Sequence, residues 1–274
     1  RKLRKGILIT DPTSSFMFVE NYKKIRTKLM YKTKKKHGNV LLVTSVMENE
    51  GKSTVTTNIA AALAQKFDKV VLVDGDMRRP AIYKLLQKKL ESHQEIGEFL
   101  NGNLKMSDVL HYDPKTKLHL LIGSKHYSNS TEMVSGESMR TLMKELKNEA
   151  DYVVIDSPPT SLMADAEILA EYADVSLLVV RQGVATAKYI NDAIDILENG
   201  HSELLGCIYN NVKTGVFTGT SALRKYGYGY GYGYGKKRYG KYGYGRYGIG
   251  DGSPAEVELD EEEIPVEELK LHEE

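Results

Sequence analysis

Between Val40 and Val212, short apolar runs rich in β-branched residues alternate with stretches of helical periodicity. The runs cover residues 40–45, 70–74, 118–122, 152–156, 175–180 and 204–209. Most are continuously hydrophobic rather than alternating, the mark of parallel strands covered on both faces. Helical patterns fall between them at 53–66, 138–147, 164–172 and 187–197. This alternation predicts an α/β domain with a doubly wound, mostly parallel sheet. Residues 97–102 and 106–110 predict short surface helices to which no chemistry is assigned.

Upstream, Phe18, Tyr22, Ile25 and Leu29 recur at steps of four, three and four, which predicts an amphipathic helix with Ser14 or Ser15 as its N-cap. After Val212 the hydrophobic pattern stops. Residues 226–247 form a Tyr-Gly repeat and the remainder is acidic, with Pro254 and Pro265. Glycine at every second or third position predicts a disordered tail rather than packed structure. The expected organisation is a basic leader at 1–14, an N-terminal helix at 15–37, the α/β domain at 38–213, a Tyr/Gly-rich tail at 214–250 and an acidic tail at 251–274.

Composition adds exclusions. No apolar stretch approaches the roughly 18 residues of a bilayer span. The single cysteine, Cys207, excludes a disulfide framework and fits a reducing compartment. It lies in an apolar strand pattern, so a buried, inert thiol is expected. The seven histidines show no metal-ligand spacing. The chain starts at Arg1 with no Met and no signal-peptide pattern, so its native start is expected upstream.

The net charge of +1 conceals segregation. Residues 1–36 carry twelve Lys/Arg against two acids (12 − 2 = +10), and 224–250 carry seven with no acid (+7). Residues 251–274 carry eleven acids against Lys270 (1 − 11 = −10). Blocks of this kind are either electrostatic docking segments or solvated ends.

The chemistry concentrates at Glu50-Gly-Lys-Ser-Thr54, between a strand and a helix. Backbone N–H groups of such a turn cradle phosphate, while Lys52 reaches the β/γ-phosphates and Ser53 ligates Mg²⁺. Val46 stands where the full P-loop pattern begins with glycine, and Asn49 occupies a loop position suited to positive φ. Asp74 and Asp76 end the second strand, and Asp156 ends the fourth. Carboxylates there face the ligand crevice of an open α/β sheet, where they hold Mg²⁺ or accept a proton. The fold class is therefore a P-loop NTPase.

The tail holds nine of the eighteen tyrosines: Tyr226, Tyr228, Tyr230, Tyr232, Tyr234, Tyr239, Tyr242, Tyr244 and Tyr247. Interleaved with Lys/Arg, they suit either stacking on nucleic-acid bases or service as phosphate acceptors. About 25 Gly-rich residues reach roughly 25–30 Å, enough to enter a neighbouring subunit's site.

Taken together, these residues resemble the bacterial tyrosine kinases of capsule and exopolysaccharide synthesis, built on a MinD/ParA-like fold. The resemblance runs from Asp11-Pro-Thr-Ser-Ser15 to the tyrosine cluster. Residues 50–54 look like the family's Walker A motif, 73–80 (Val-Asp-Gly-Asp-Met-Arg-Arg-Pro) like its Walker A′ and 153–156 like its Walker B. It implies ATP and Mg²⁺ as cofactors. Asn49, Glu50, Gly51, Lys52, Ser53, Thr54 and Asn210 would contact nucleotide, with Asn210 reading adenine. Ser53, Asp74, Asp76 and Asp156 would surround the metal, and Lys52, Asp74 and Asp76 would be catalytic. Glu20, Lys23 and Arg26 match the family's Glu-x-x-Arg-x-x-Arg oligomerisation helix, with lysine replacing the first arginine. A ring-like homo-oligomer (an octamer by resemblance), tail phosphorylation between subunits, a separate transmembrane activator, a cognate tyrosine phosphatase and no specific nucleic acid follow from the same likeness. So does a cytoplasmic location at the inner face of the plasma membrane. The alternatives are a MinD/ParA-type ATPase switch without kinase activity, against which Met47 replaces that group's signature lysine, and a non-enzymatic polyanion-binding module.

Overall fold

The computed structural model describes residues 8–36, 39–161 and 164–212. The first helix, α1 (Phe16–Lys36), is capped by Ser15, whose Oγ accepts the Phe18 N–H at 3.3 Å. Tyr22 and Leu29 are buried on its inner face. Ahead of it, Ile9 N donates to Asn58 Oδ1 (2.7 Å) and Ser14 Oγ donates to Leu8 O (2.6 Å), which pins residues 8–14 in turns.

There follow β1 (Val40–Ser45), α2 (Lys52–Ala64), β2 (Val70–Asp74), α3 (Ile82–Leu85), α4 (Ile96–Leu100) and α5 (Met106–Val109). Next come β3 (His111–Asp113), β4 (Leu118–Leu121), α6 (Ser130–Ser135), α7 (Glu137–Glu149), β5 (Tyr152–Asp156), α8 (Asp165–Ala170), β6 (Val175–Arg181), α9 (Ala187–Asn199) and β7 (Glu203–Asn210). The strands form one seven-stranded sheet in the order β3-β4-β2-β5-β1-β6-β7. All pairs are parallel except β3 with β4.

Successive residues of the central strands feed two cores. Leu42, Val71, Val73, Val153 and Ile155 pack on one face with Leu142 and Leu146 of α7, whereas Leu41, Val43, Leu72 and Val154 pack on the other with Ile59 and Leu63 of α2. Both faces being covered explains the unbroken hydrophobic strands. Helix α2 is buried nearly all round because α1 covers the side turned away from the sheet. Arg26 fastens that cover by donating to Ala62 O at 2.9 Å and Gln65 Oε1 at 3.1 Å.

The six expected strands are present to within a residue at each end. Strand β3 was not legible, because His111-Tyr-Asp113 has no apolar run; the β3–β4 hairpin is held instead by Asp113, which accepts Thr116 N (3.1 Å) and Oγ1 (2.6 Å). The short helices α4 and α5 are less superficial than expected, since Ile96, Gly97, Leu100 and Val109 are buried. A second correction concerns Cys207: it is exposed, not buried. Strand β7 is an edge strand and its outer half lacks the cover that central strands receive, although partial desolvation still pushes the thiol pKa up.

Asn58 fixes the 8–14 segment to α2, its amide held in place because its Nδ2 donates to Thr54 O of the same helix at 2.8 Å. Asn58→Ala should leave the Ile9 N–H unsatisfied and cost about 1–3 kcal/mol, read as a lower urea midpoint with an unchanged m-value.

Candidate active site

The loop after β1 turns back over its own strand. Asn49 adopts φ 64° and Gly51 φ 88°, both left-handed, so two successive reversals place the N-terminus of α2 directly after the loop. A Cβ on Gly51 would collide with the side-chain nitrogen of Asn210. Asn210, at the end of β7, donates from Nδ2 to Glu50 O at 2.8 Å and so lies across the loop.

Glu50 is buried, and its carboxylate turns inward. Oε2 accepts Met47 N at 2.7 Å and Oε1 accepts Arg181 N at 3.2 Å, which ties the loop to the end of β6. Arg181 Nη1 returns a bond to Asn49 O at 2.9 Å. The Glu50 side chain thus braces the loop, and its backbone is the part turned toward Asn210. Thr54 accepts the Asn58 amide through its carbonyl.

Four charged groups meet where β2 and β5 end. Lys52 Nζ lies 3.1 Å from Asp156 Oδ1, 3.6 Å from Asp76 Oδ2 and 3.4 Å from Ser53 Oγ. Asp74 and Asp156 are adjacent in the parallel register of these strands. Asp74 Oδ1 accepts Asp76 N at 3.3 Å, and Asp76 Oδ1 accepts Arg79 N at 2.9 Å. The Oδ2 atoms of both Asp74 and Asp156 are buried without a hydrogen-bond partner.

Burial, reinforced by Asp156 and Asp76, pushes the Asp74 carboxyl well above the usual carboxylate range, with Lys52 opposing only in part. Burial also raises Asp156, against the pull of Lys52 and the Ser53 hydroxyl. For Lys52 burial disfavours the charge, but Asp156, Asp76 and Asp74 outweigh it and hold the amine protonated. A buried group of three acids and one ammonium has excess negative charge and two orphan oxygens. Such a group suits a bound cation or an exchangeable proton.

Lys52, Ser53, Asp74, Asp76 and Asp156 therefore come together, with Asn49, Glu50, Gly51, Thr54 and Asn210 forming the adjoining loop and its cover. Glu20 and Lys23 pair with each other at 2.7 Å on α1, and Arg26 docks on α2. The nine tail tyrosines lie outside the described residues. Among the described residues no group of three or more His, Cys, Asp or Glu side chains forms a metal cage. The carboxylates of Asp74, Asp76 and Asp156 are hard oxygen donors of the kind Mg²⁺ takes, one or two at a time, together with substrate phosphates.

Several residues were not singled out from sequence. Thr56 donates to Asp156 Oδ1 at 3.0 Å, one helical turn beyond Lys52. Asp165 is fully buried and accepts Ser130 Oγ (2.5 Å), Thr131 Oγ1 (2.6 Å) and Arg78 Nε (3.2 Å). Arg78 also donates to Thr131 Oγ1 at 3.0 Å, and Tyr127 N donates to Met77 O at 3.0 Å. The loop bearing Asp76 is therefore clamped from outside the motif. Arg79 pairs with Glu48 across the mouth of the site. The doublet Arg78-Arg79 was the only signal of this clamp in the sequence.

A family model described as an AAA domain matches residues 44–199, placing the chain in the nucleotide-binding P-loop class. The chain is 31% identical over 199 residues to the tyrosine-protein kinase CpsD of Streptococcus agalactiae, covering 73% of this chain and 84% of that protein. Against the tyrosine-protein kinase YwqD of Bacillus subtilis it is 31% identical over 213 residues, covering 78% and 88%. The kinase domain of Escherichia coli tyrosine kinase ETK superposes with a TM-score of 0.70 at 28% identity, over 85% of this chain and 88% of that one. The chain belongs to the bacterial tyrosine-protein kinases, and its activity is that of a protein-tyrosine kinase. The septum site-determining protein MinD of Pyrococcus horikoshii shares the fold alone, at 21% identity and a TM-score of 0.54, over 62% of this chain and 69% of that one.

Removing the clamp is informative. Burial acts to raise the Asp165 pKa, but Ser130, Thr131 and Arg78 outweigh it and the pKa is lowered. Its stabilisation is thus present above the ordinary carboxylate range and is lost as pH falls through the depressed value. Asp165→Asn should cost about 2 kcal/mol at neutral pH, and the gap from wild type should close below about pH 4. Urea titrations at both pH values test this.

Proposed function

We propose that the chain transfers the γ-phosphoryl group of ATP to tyrosines of its own C-terminal cluster, on a neighbouring copy, within a capsule or exopolysaccharide system. The observation that carries this reading is Lys52 held among Asp74, Asp76 and Asp156 at the strand ends, directly beyond a loop with two left-handed residues. The backbone N–H groups at the start of α2 and the Lys52 ammonium bind and orient the phosphates. Bound Mg²⁺ would neutralise charge on those phosphates, held by Ser53 and Asp156 with Asp74 or Asp76 contributing. The orphan Oδ2 atoms of Asp74 and Asp156 fit that role. Asn210 stands over the loop where a base would lie.

In the transfer, the bond from the γ-phosphorus to the bridging oxygen of ADP breaks and one to the phenolic oxygen forms. The phenol proton passes to a carboxylate of the Asp74/Asp76 pair. A raised carboxyl pKa brings proton acceptor and phenol, of pKa about 10, closer together. The tail supplies acceptors on glycine-rich chain that enters a cleft extended. Copies of the chain associate through α1, with Glu20 and Lys23 facing a neighbour while Arg26 also serves α2. A membrane-spanning activator and a tyrosine phosphatase complete the system, which operates at the inner face of the plasma membrane.

Phosphotyrosine mapping by mass spectrometry after incubation with Mg·ATP tests the reading, comparing the intact chain with Lys52→Met. Phosphate should fall within residues 226–247 and drop by about 10²-fold or more in the variant. ATP consumption without phosphotyrosine, even with the cytoplasmic end of an activator added, would instead favour an ATPase switch.

A second outcome follows from charge. Each phosphate adds about −1.5 to −2, so several would reverse the +7 segment beside the −10 segment. Light scattering should show a smaller mass for heavily phosphorylated protein than for unphosphorylated protein.

A further inference from the structure

Helix α1 has two faces with different chemistry. Tyr22, Leu29 and Thr33 point into the domain and are buried. On the opposite side Met17, Lys24 and Tyr31 follow one another at seven-residue steps, with Lys28 beside them and Lys32 one turn beyond, so all share a single face. Every one of these five is exposed, as is Phe16 at the N-terminal end. Phe16 is 75% exposed, Tyr31 62% and Met17 55%.

The charge on this face is predominantly positive. Glu20 is the helix's single acid, and it is already paired with Lys23 at 2.7 Å. Among the described residues neither Lys28 nor Lys32 has an acidic partner. Lysines flanked by exposed Phe, Met and Tyr on one side of a helix are the arrangement that lies flat on an anionic bilayer. Ammonium groups sit at the headgroups while the apolar side chains enter the acyl boundary. A purely electrostatic partner, such as an acidic polypeptide, gives no reason for two large apolar side chains to project at Phe16 and Met17.

We propose that the outward face of α1, formed by Phe16, Met17, Lys24, Lys28, Tyr31 and Lys32, binds the surface of an anionic phospholipid membrane directly. Arg26 lies toward the other flank, where it grips α2, whereas the mutually paired Glu20 and Lys23 border this face near Phe16. Direct lipid contact would hold the domain at a bilayer independently of any protein activator. It rests on the placement of α1 and not on the kinase reading.

The test is co-sedimentation of the full chain with vesicles of phosphatidylcholine alone or with about 30 mol% phosphatidylglycerol, at low and high salt. Binding should require the anionic lipid and fall as salt rises. Lys28→Gln with Lys32→Gln should weaken it by about fivefold per lysine. Phe16→Ser with Met17→Ser should weaken it further while leaving the salt dependence in place. Both variants retain the basic leader and the basic tail, and their thermal unfolding and phosphotyrosine yield should match the parent. Vesicle binding unchanged in both double variants would overturn the proposal, because the leader or tail would then be responsible. Equal binding to neutral vesicles would overturn it too, as would failure to bind any vesicle while soluble polyglutamate is bound through the same lysines.

Discussion

Everything near the catalytic centre is arranged around one ammonium group among three carboxylates. Lys52, Asp74, Asp76 and Asp156 converge where water is largely excluded, so each charge strongly affects the others. One cation does not balance three acids. Burial raises the carboxyl pKa of both Asp74 and Asp156, with the neighbouring acids adding to it at Asp74, and an oxygen of each is left without a donor. A site built this way is incomplete by itself, and in the proposed function a metal–nucleotide complex would supply the missing positive charge and the phosphates for Lys52 and the loop.

The sheet makes that convergence possible. Parallel pairing of β2 with β5 sets Asp74 and Asp156 side by side, and β1 beside β5 delivers the loop to the same end. The observed register, from Val70 opposite Tyr152 to Asp74 opposite Asp156, keeps the ends of β2 and β5 level. Around this frame, buried carboxylates act as fasteners rather than reactants. Glu50 ties the phosphate loop to β6, Asp165 holds the Arg78 side chain, and Asp113 closes the β3–β4 turn. Each has its oxygens occupied by donors, in contrast with the orphan atoms of Asp74 and Asp156. Occupancy of the lone pairs therefore sets these three braces apart from Asp74 and Asp156.

The likeness to CpsD and YwqD extends over most of those chains, whereas the likeness to MinD is one of fold. The sheet alone would not distinguish a kinase from an ATPase switch, since one fold hosts many functions. The run Val73-Asp-Gly-Asp-Met-Arg-Arg-Pro80 and the tyrosine cluster carry the resemblance to the kinases in the sequence, and the 31% identity to CpsD and YwqD shows the family.

The sequence by itself determined the strands, the phosphate loop and the acidic strand ends, because these depend on local facts. Unbroken apolar runs need two covered faces, a Gly-Lys-Ser turn needs a strand before it and a helix after it, and Asn49 tolerates a left-handed backbone. Only the tertiary structure decided what depends on partners distant in the chain. It turned the Glu50 side chain away from the phosphate side, exposed Cys207 on an edge strand, paired β3 without an apolar run, and joined Arg78 to Asp165 across 87 positions. A carboxylate reads the same in a sequence whether it will be a brace or a base. Which it becomes is set by the donors that folding brings to its oxygens.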